Sequence, residues 1–394
     1  MTIPIYQSRL RDGSCLRTTE EFATHWRKVP LVTKQEIRDG FPERFLRSGQ
    51  SLDDLLRSNT IELEHTSGTS GESLSVMLER GWWGEQEERA LRGNGAVARL
   101  LDDHPEPPRV ILTTPACNGS ACPTAWTGPD HRTIGKSLFV NRARIPFVLN
   151  ETELWRMAQE ISDWRPLLLD LDPVHGTWFA LFCERHGLTF PSIRVVITSY
   201  EYLSVVHRQI MERVYGVPLL NLYGATETGH LLMEDEMGRM RSCEENAFLE
   251  VIDPDSRGVG PLIVTTLTNY YMPLLRYRIG DLAQHSGQDH GVYWLHGRER
   301  DAIRAADERM ITTRQVDECF AELRGFAHYQ FRQSAADQYH LTFVPEHAGP
   351  APATIDTVRG RLAALVETVN PIPVEMVPAI VPEASGKFRL TRGL

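Results

Sequence analysis

Residues 65–78 read HTSGTSGESLSVML, and six consecutive positions within them, Thr66, Ser67, Gly68, Thr69, Ser70 and Gly71, are either hydroxyl-bearing or glycine. Glycines lacking a Cβ let backbone N–H groups converge on an anion, and the hydroxyls add donors, so this composition suits a grip on a polyphosphate. A flexible surface turn has the same composition, and the loop alone does not decide between the two. Four later segments carry groups of a complementary kind. NLYGATETG (221–229) ends an apolar run and sets the Tyr223 ring, Gly224, the Thr226 hydroxyl and the Glu227 carboxylate in one short stretch. YRIGDL (277–282) places Asp281 directly after a glycine, GRERDAIR (297–304) contributes Arg298 and Arg300, and PEASGKFRL (382–390) contributes Lys387.

These groups lie far apart in sequence, so the elements between them must bring them together. IELEH before the loop and LSVML after it alternate with period two, which predicts a hairpin rather than a helix entry. Downstream, RVILTTP, PLLLDLD, IRVVITSY and PLLNLYG read as strands, separated by ETELWRMAQEIS, GTWFALFCERHG and YLSVVHRQIMERVYG as helices. That alternation over 105–225 predicts an α/β fold of βαβ units with a mostly parallel sheet buried on both faces. From 246 onward AFLEVID, GPLIVTTL, LLRYRIGDLA and GVYWLHG follow one another more closely, as an antiparallel or barrel-like section would. The charged stretch GRERDAIRAADER then breaks the apolar rhythm. It sets an expected boundary between a large N-terminal domain, 1–297, and a small mobile α+β domain, 298–394.

Composition excludes several classes. The 394 residues carry a net charge of −10 and no Lys/Arg-rich run, so nucleic acid is not an expected partner. The N-terminal MTIPIYQSRLRDG has no apolar stretch behind its charges, and no segment approaches the roughly 20 apolar residues a membrane span needs. The expectation is a cytoplasmic protein without membrane contact. The six cysteines, at 15, 117, 122, 183, 243 and 319, form no CxxC pair and read as free thiols rather than disulfides or a zinc site. Two motif-like strings carry no weight. GKS at 135–137 lacks the glycine a phosphate loop needs five residues earlier, where Asp130 stands. GNGAVA at 93–98 follows the helical GEQEERALR instead of a strand, and so reads as a helix-ending glycine pair. No GxSxG elbow is present to suggest a hydrolase.

In their order and spacing, the five chemistry-bearing segments resemble the adenylate-forming superfamily of acyl-coenzyme A ligases, peptide-synthetase adenylation domains and luciferases. Within it the sequence is similar to the compact phenylacetate-coenzyme A ligase branch, whose SGTTG and YG-x-[ST]-E segments stand here as SGTSG and YGATE. DPVHGTWFALFCERHG and SYEYL resemble that branch's acyl-pocket helix and its G-A-E turn. Short antibiotic-pathway relatives, phenazine-modifying enzymes among them, are similar in length. The resemblance implies ATP- and Mg²⁺-dependent conversion of a carboxylic acid to acyl-AMP and pyrophosphate. It gives residues 66–71 to the phosphates, Glu201, Tyr223 and Gly224 to the nucleotide, and Asp281 and Arg298 to the ribose. It further implies that Thr226 donates to a phosphate oxygen, that Glu227 holds the metal, and that Lys387 neutralises the attacking carboxylate and the α-phosphate. His175, Trp178, Tyr200 and Ala225 become candidates for an acid pocket, suited to an aromatic or heteroaromatic acid more than to a long fatty chain. On residue chemistry alone His175 could equally cap its helix, and Trp178 could pack with Phe182 in the core. The acceptor after adenylation would be coenzyme A, a carrier-protein thiol or an amine.

The sequence departs from the family pattern in three places. Glu72, Ser73 and Leu74 stand where the fuller loop motif runs x-Pro-Lys, Arg300 occupies the hinge position where Asp or Lys is usual, and Asp307 replaces the glycine that follows the hinge. Adenylation is therefore better supported than thioester formation. A non-catalytic nucleotide- or acyl-adenylate-binding protein on the same fold, and an adenylating enzyme with an acceptor other than coenzyme A, are the alternatives.

Overall fold

The structure, a computed structural model, describes residues 3–7, 25–66, 73–112, 129–141, 149–383 and 386–394. The short helices α1 (Pro4–Gln7), α2 (Lys34–Gly40) and α3 (Leu52–Arg57) precede the hairpin anticipated around the Thr/Ser/Gly loop. Its strands β1 (Ile61–His65) and β2 (Ser75–Glu79) pair antiparallel from Ile61↔Glu79 to His65↔Ser75. Thr66 closes the open end: its N–H donates to Leu74 O at 2.9 Å and its hydroxyl oxygen accepts from Leu74 N–H at 2.8 Å. The tip, with Ser67, Gly68, Thr69, Ser70 and Gly71, lies outside the described residues, as do Cys15, Cys117 and Cys122.

Two helices follow, α4 (Trp82–Leu91) and α5 (Gly95–Asp103). The glycine pair of GNGAVA therefore ends one helix and also opens another. Asn94 makes this possible, its side-chain oxygen accepting from Ala96 and Val97 N–H at 3.0 and 3.2 Å.

The central element is one twelve-stranded sheet. Its strands and intervening helices are β3 (Arg109–Ile111), β4 (Thr133–Ile134), β5 (Ser137–Phe139), α6 (Glu151–Trp164), β6 (Leu168–Leu171), α7 (Pro173–His186), β7 (Val195–Thr198), α8 (Val205–Tyr215) and β8 (Leu219–Ala225). They continue with β9 (Gly229–Glu234), β10 (Met240–Ser242), β11 (Ala247–Val251), β12 (Val259–Thr266), β13 (Tyr277–His285) and β14 (Val292–Arg298). Strands β5, β3, β6, β7 and β8 run parallel, and LLDL and VVIT within them are buried at every position because helices cover both faces. The antiparallel section anticipated from residue 246 is present, and its strands extend the same sheet in the order β11-β12-β13-β14-β10-β9-β8. The change of direction occurs at β8 and β9. Gly224 permits it, since a Cβ there would lie 2.2 Å from Gly229 O.

Beyond Arg298 the chain leaves this sheet. Strands β15 (Ile303–Arg304) and β16 (Met310–Ile311) form a small pair, α9 (Thr313–Glu318) follows, and β17 (Phe326–Ala335), β18 (Gln338–Pro345), α10 (Pro352–Val366), β19 (Val374–Met376) and β20 (Thr391–Arg392) complete a sheet of order β19-β18-β17-β20. Phe326, Tyr329 and Phe331 of β17 share one buried cluster with Phe179 of α7 and Ile210 of α8, so the two parts are joined by apolar packing. Polar groups cross the same contact. Asp317 on α9 accepts from the Ser204 hydroxyl at 2.5 Å, from Val205 N–H at 2.9 Å and from the Tyr329 hydroxyl at 2.8 Å, capping α8 from outside. His207 on α8 and His328 on β17 approach to 3.0 Å with stacked rings, both fully buried. Among the described residues, no helix is long and apolar enough to cross a membrane, and Cys183, Cys243 and Cys319 are free thiols.

Candidate active site

A cleft of about 460 Å³ opens where β8 ends, between the main sheet and the C-terminal elements. The turn after β8 supplies Tyr223, Gly224, Ala225, Thr226 and Glu227, and the β13–β14 pair supplies Asp281 and Arg298 from directly opposed positions. Gly280 lets β13 present Asp281 there, its φ of +91° being one that L side chains rarely adopt. Thr66, Tyr200, Glu201, Arg300 and Lys387 complete the part of the lining that the sequence had singled out. His175 and Trp178 are not among the described lining residues. The His175 ring instead bonds to Asp172, Nδ1 to Oδ1 at 3.0 Å, while Asp172 itself caps α7; both rings pack against Phe388 with centroids 5.5 Å away.

The cleft is polar and internally paired. Tyr223 OH donates to Asp281 Oδ2 at 2.7 Å, Arg298 Nε stands 3.4 Å from Asp281 Oδ1, and Tyr277 OH donates to Glu227 Oε1 at 2.8 Å. Burial, reinforced by the neighbouring carboxylates, pushes both phenols well above their usual range, so they remain donors. Asp281 holds the Arg298 guanidinium above its ordinary value.

Lys387 enters from the segment before β20 and donates through Nζ to Tyr200 O at 3.1 Å, while the next residue's N–H donates to Glu201 Oε1 at 3.0 Å. Burial and the Arg298 charge lower the lysine, against the pull of Glu201, Asp281 and Glu227. Burial and Asp172 raise Glu201 well above the usual carboxylate range, with Lys387 acting against them. Tyr200, half-exposed with φ of +74°, occupies the left-handed region at the point where its carbonyl meets the lysine, the kind of backbone strain that gathers at binding sites. The same segment is tied to the turn after β14, Arg389 pairing with Asp301 at 2.5 Å and Glu383 at 3.1 Å. Arg300 joins that set, 3.6 Å from Glu383. Asp307 lies outside the cleft lining, in the β15–β16 turn, where it accepts from Arg309 N–H and Nε at 3.1 and 3.0 Å.

No family model matches the chain. Its sequence is similar to phenylacetate-coenzyme A ligases: 28% identical over 272 residues to that of Aromatoleum evansii (65% of this chain, 56% of that one), and 25% over 273 residues to that of Escherichia coli K12 (66% and 57%). With the Thermus thermophilus enzyme it shares 29% identity over 141 residues, 32% of this chain and 31% of that one. These alignments span between about a third and three-fifths of the curated relatives' length. In structure the chain superposes over its whole length on 2-hydroxyisobutyryl-CoA ligase in the postadenylation state with 2-HIB-AMP (TM-score 0.69, 17% identity, 85% of that chain). It also matches an anthranilate CoA ligase in complex with anthranoyl-AMP (TM-score 0.57, 15% identity, 99% of this chain and 79% of that one).

In sequence and in fold the chain resembles the adenylate-forming superfamily. Within the superfamily it is similar to the phenylacetate-coenzyme A ligase branch. The TM-score is 0.69 against the postadenylation form of 2-hydroxyisobutyryl-CoA ligase and 0.52 against its thioesterification form.

Residues absent from the sequence reading also line the cleft: Trp83, Glu87, His230, His207, His328 and Phe388. Trp83 and Glu87 lie on a helix with no motif, and His230 follows YGATETG by one residue, where only the continued strand shows that it turns inward.

Proposed function

We infer that the chain activates an aromatic or heteroaromatic carboxylic acid by adenylation, using ATP and releasing pyrophosphate. The observation that carries this reading is Lys387: a chain-distant ammonium brought into one cleft with Thr226, Glu227, Asp281 and Arg298. A carboxylate approaching an α-phosphorus surrounded by anionic oxygens is repelled, and a preorganised ammonium offsets the charge that develops as pyrophosphate departs. In this reading Tyr223 and Asp281 receive the nucleoside, with Arg298 fixing the Asp281 carboxylate, while Thr226 donates to a phosphate oxygen. The family implies Mg²⁺. Among the described residues no group of three or more His, Cys, Asp or Glu side chains forms a metal cage, and the cleft offers the Glu227 carboxylate and the Thr226 hydroxyl. That donor set fits a cation held mainly by phosphates with one protein carboxylate. When bound, the ion supplies positive charge to the phosphates. Localisation in the cytoplasm and a role in phenazine-type antibiotic synthesis accord with the resemblance and belong to the same proposal.

ATP–pyrophosphate exchange screened over aryl and heteroaryl acids tests the reading: acid-dependent exchange is expected. ATP binding without exchange for any acid would instead favour a non-catalytic nucleotide- or acyl-adenylate-binding protein. A second reading concerns the acceptor. Arg300 and Asp307, where the family pattern has other residues, favour adenylation with little transfer to coenzyme A, leaving an amine or a carrier-protein thiol as acceptor.

A further inference from the structure

His230 and Glu87 form a polar patch in the cleft that the adenylation chemistry leaves unused. His230 lies on β9, opposite Gly224 of β8, is 8% exposed, and packs against the Trp83 ring with centroids 4.8 Å apart. Its Nε2 is enclosed and meets no hydrogen-bond partner among the described residues, the Glu87 carboxylate coming no closer than 3.9 Å. Glu87 is clamped by Arg109 through two bonds, at 2.6 and 2.7 Å, and Arg109 also pairs with buried Asp170. Burial opposes the Glu87 charge, but Arg109 brings its carboxyl down to about 2; burial also lowers the His230 imidazole. The patch thus presents an acceptor-only carboxylate beside a neutral imidazole, walled by an indole.

Glu87 and His230 enter the cleft from α4 and β9, whereas Lys387 enters it from the segment before β20 and bonds to Tyr200 O. A substrate whose carboxylate sits by Lys387 therefore directs another part of itself here. Because ionised Glu87 can only accept, the group that fits must donate. The geometry points to an acid carrying a hydroxyl or amine remote from its carboxylate, a group that donates to Glu87 and completes the hydrogen bonding of His230. This inference rests on the adenylation reading and adds the substrate class: hydroxy- or amino-substituted aromatic acids.

The test is ATP–pyrophosphate exchange with benzoate and phenylacetate against their ring-hydroxylated and ring-aminated derivatives, for the wild type, His230→Phe and His230→Gln. A site built around a hydrogen bond discriminates strongly against a ligand lacking it. We expect at least one donor-bearing acid to exceed its parent by about tenfold or more in kcat/KM. His230→Phe should bring the ratio near one, chiefly by raising KM for that acid, and His230→Gln should retain much of it. ATP affinity measured on each variant reports that the cleft is intact. Donor-bearing acids no better than their parents, or a preference that survives in folded His230→Phe, would overturn the inference while leaving adenylation standing. Exchange with none of the acids, parents included, would count against adenylation itself and remove the inference with it.

Discussion

Lys387→Ala separates a catalytic role from a structural one. Truncation removes the ammonium's bond to Tyr200 O, while the segment keeps its other ties, Phe388 N–H to Glu201 and Arg389 to Asp301. Loss of one such bond costs about 1 kcal/mol or less, so the fold and the nucleotide contacts should persist. In the proposed adenylation the same ammonium would face, in the transition state, charge developing between carboxylate and phosphate. Removal of a preorganised donor in that position costs about 3–4 kcal/mol, a rate factor of about 10² to 10³. Pyrophosphate exchange at saturating ATP and acid should fall by that factor, while ATP affinity, measured by calorimetry, stays within about twofold of the wild type. Full exchange by Lys387→Ala would refute the assignment. So would a loss of ATP affinity equal to the loss of rate, because it would mean that the lysine binds the ground state as tightly as the transition state.

Three further outcomes are expected. Glu227→Gln keeps the Tyr277 hydroxyl partnered but removes the carboxylate charge, so the Mg²⁺ concentration needed for half-maximal exchange should rise by about tenfold or more; an unchanged Mg²⁺ dependence removes Glu227 from the metal site. With acid, ATP and coenzyme A supplied together, acyl-AMP should accumulate ahead of thioester, and a thioester rate matching adenylation would show that Arg300 and Asp307 are no obstacle. Stability should fall on acidification: burial brings His207 down to about 4 and His328 further below its usual value, so below about pH 6.5 the unfolded chain binds two protons that the folded chain refuses. Asp317, raised to about 6 by burial, acts in the opposite sense between about pH 4 and 6, so that these three groups together contribute near pH 5 a difference of about one proton, or about 1.4 kcal/mol per pH unit. Denaturant midpoints at pH 5 and 7 check this, and an equal decline in the double variant His207→Gln/His328→Gln would show that the pair is not responsible.

The parallel half of the fold was legible because its strands are buried on both faces and its helices carry their own start signals, Asn150, Asp172 and Ser204. α5 was not, because a glycine at its first position resembles a helix stop until the Asn94 cap is recognised. Strands β9 and β10 also escaped notice. Their identity depends on pairing with β8 and β14 more than on any alternation of their own, and β9 is buried at every position. In the site, Tyr223, Thr226, Glu227, Asp281, Arg298 and Lys387 sit in strings whose residue types announce chemistry, and they converge in one cleft. Glu87 and His230 carry no such string. Their relation arises only when α4 packs on β9, and the His207–His328 contact likewise joins positions 121 residues apart. His175 shows the opposite case: a polar residue at the start of a pocket-like helix whose ring nitrogen is already taken by Asp172.

The capping of α8 by Asp317 bears on modularity. Although the main sheet ends at Arg298, the helix beginning at Val205 draws part of its N-terminal hydrogen bonding, and part of its apolar cover, from residues past that point. A fragment ending there would leave the Ser204 hydroxyl and the Val205 N–H without Asp317, and Ile210 without β17. Exchange of C-terminal segments between relatives therefore carries a condition: the graft must bring an acceptor at 317 and a partner for His207, or α8 must be exchanged with it. The contacts of the lysine-bearing part thus reach back to α8, some ninety residues before the point where the chain leaves the sheet.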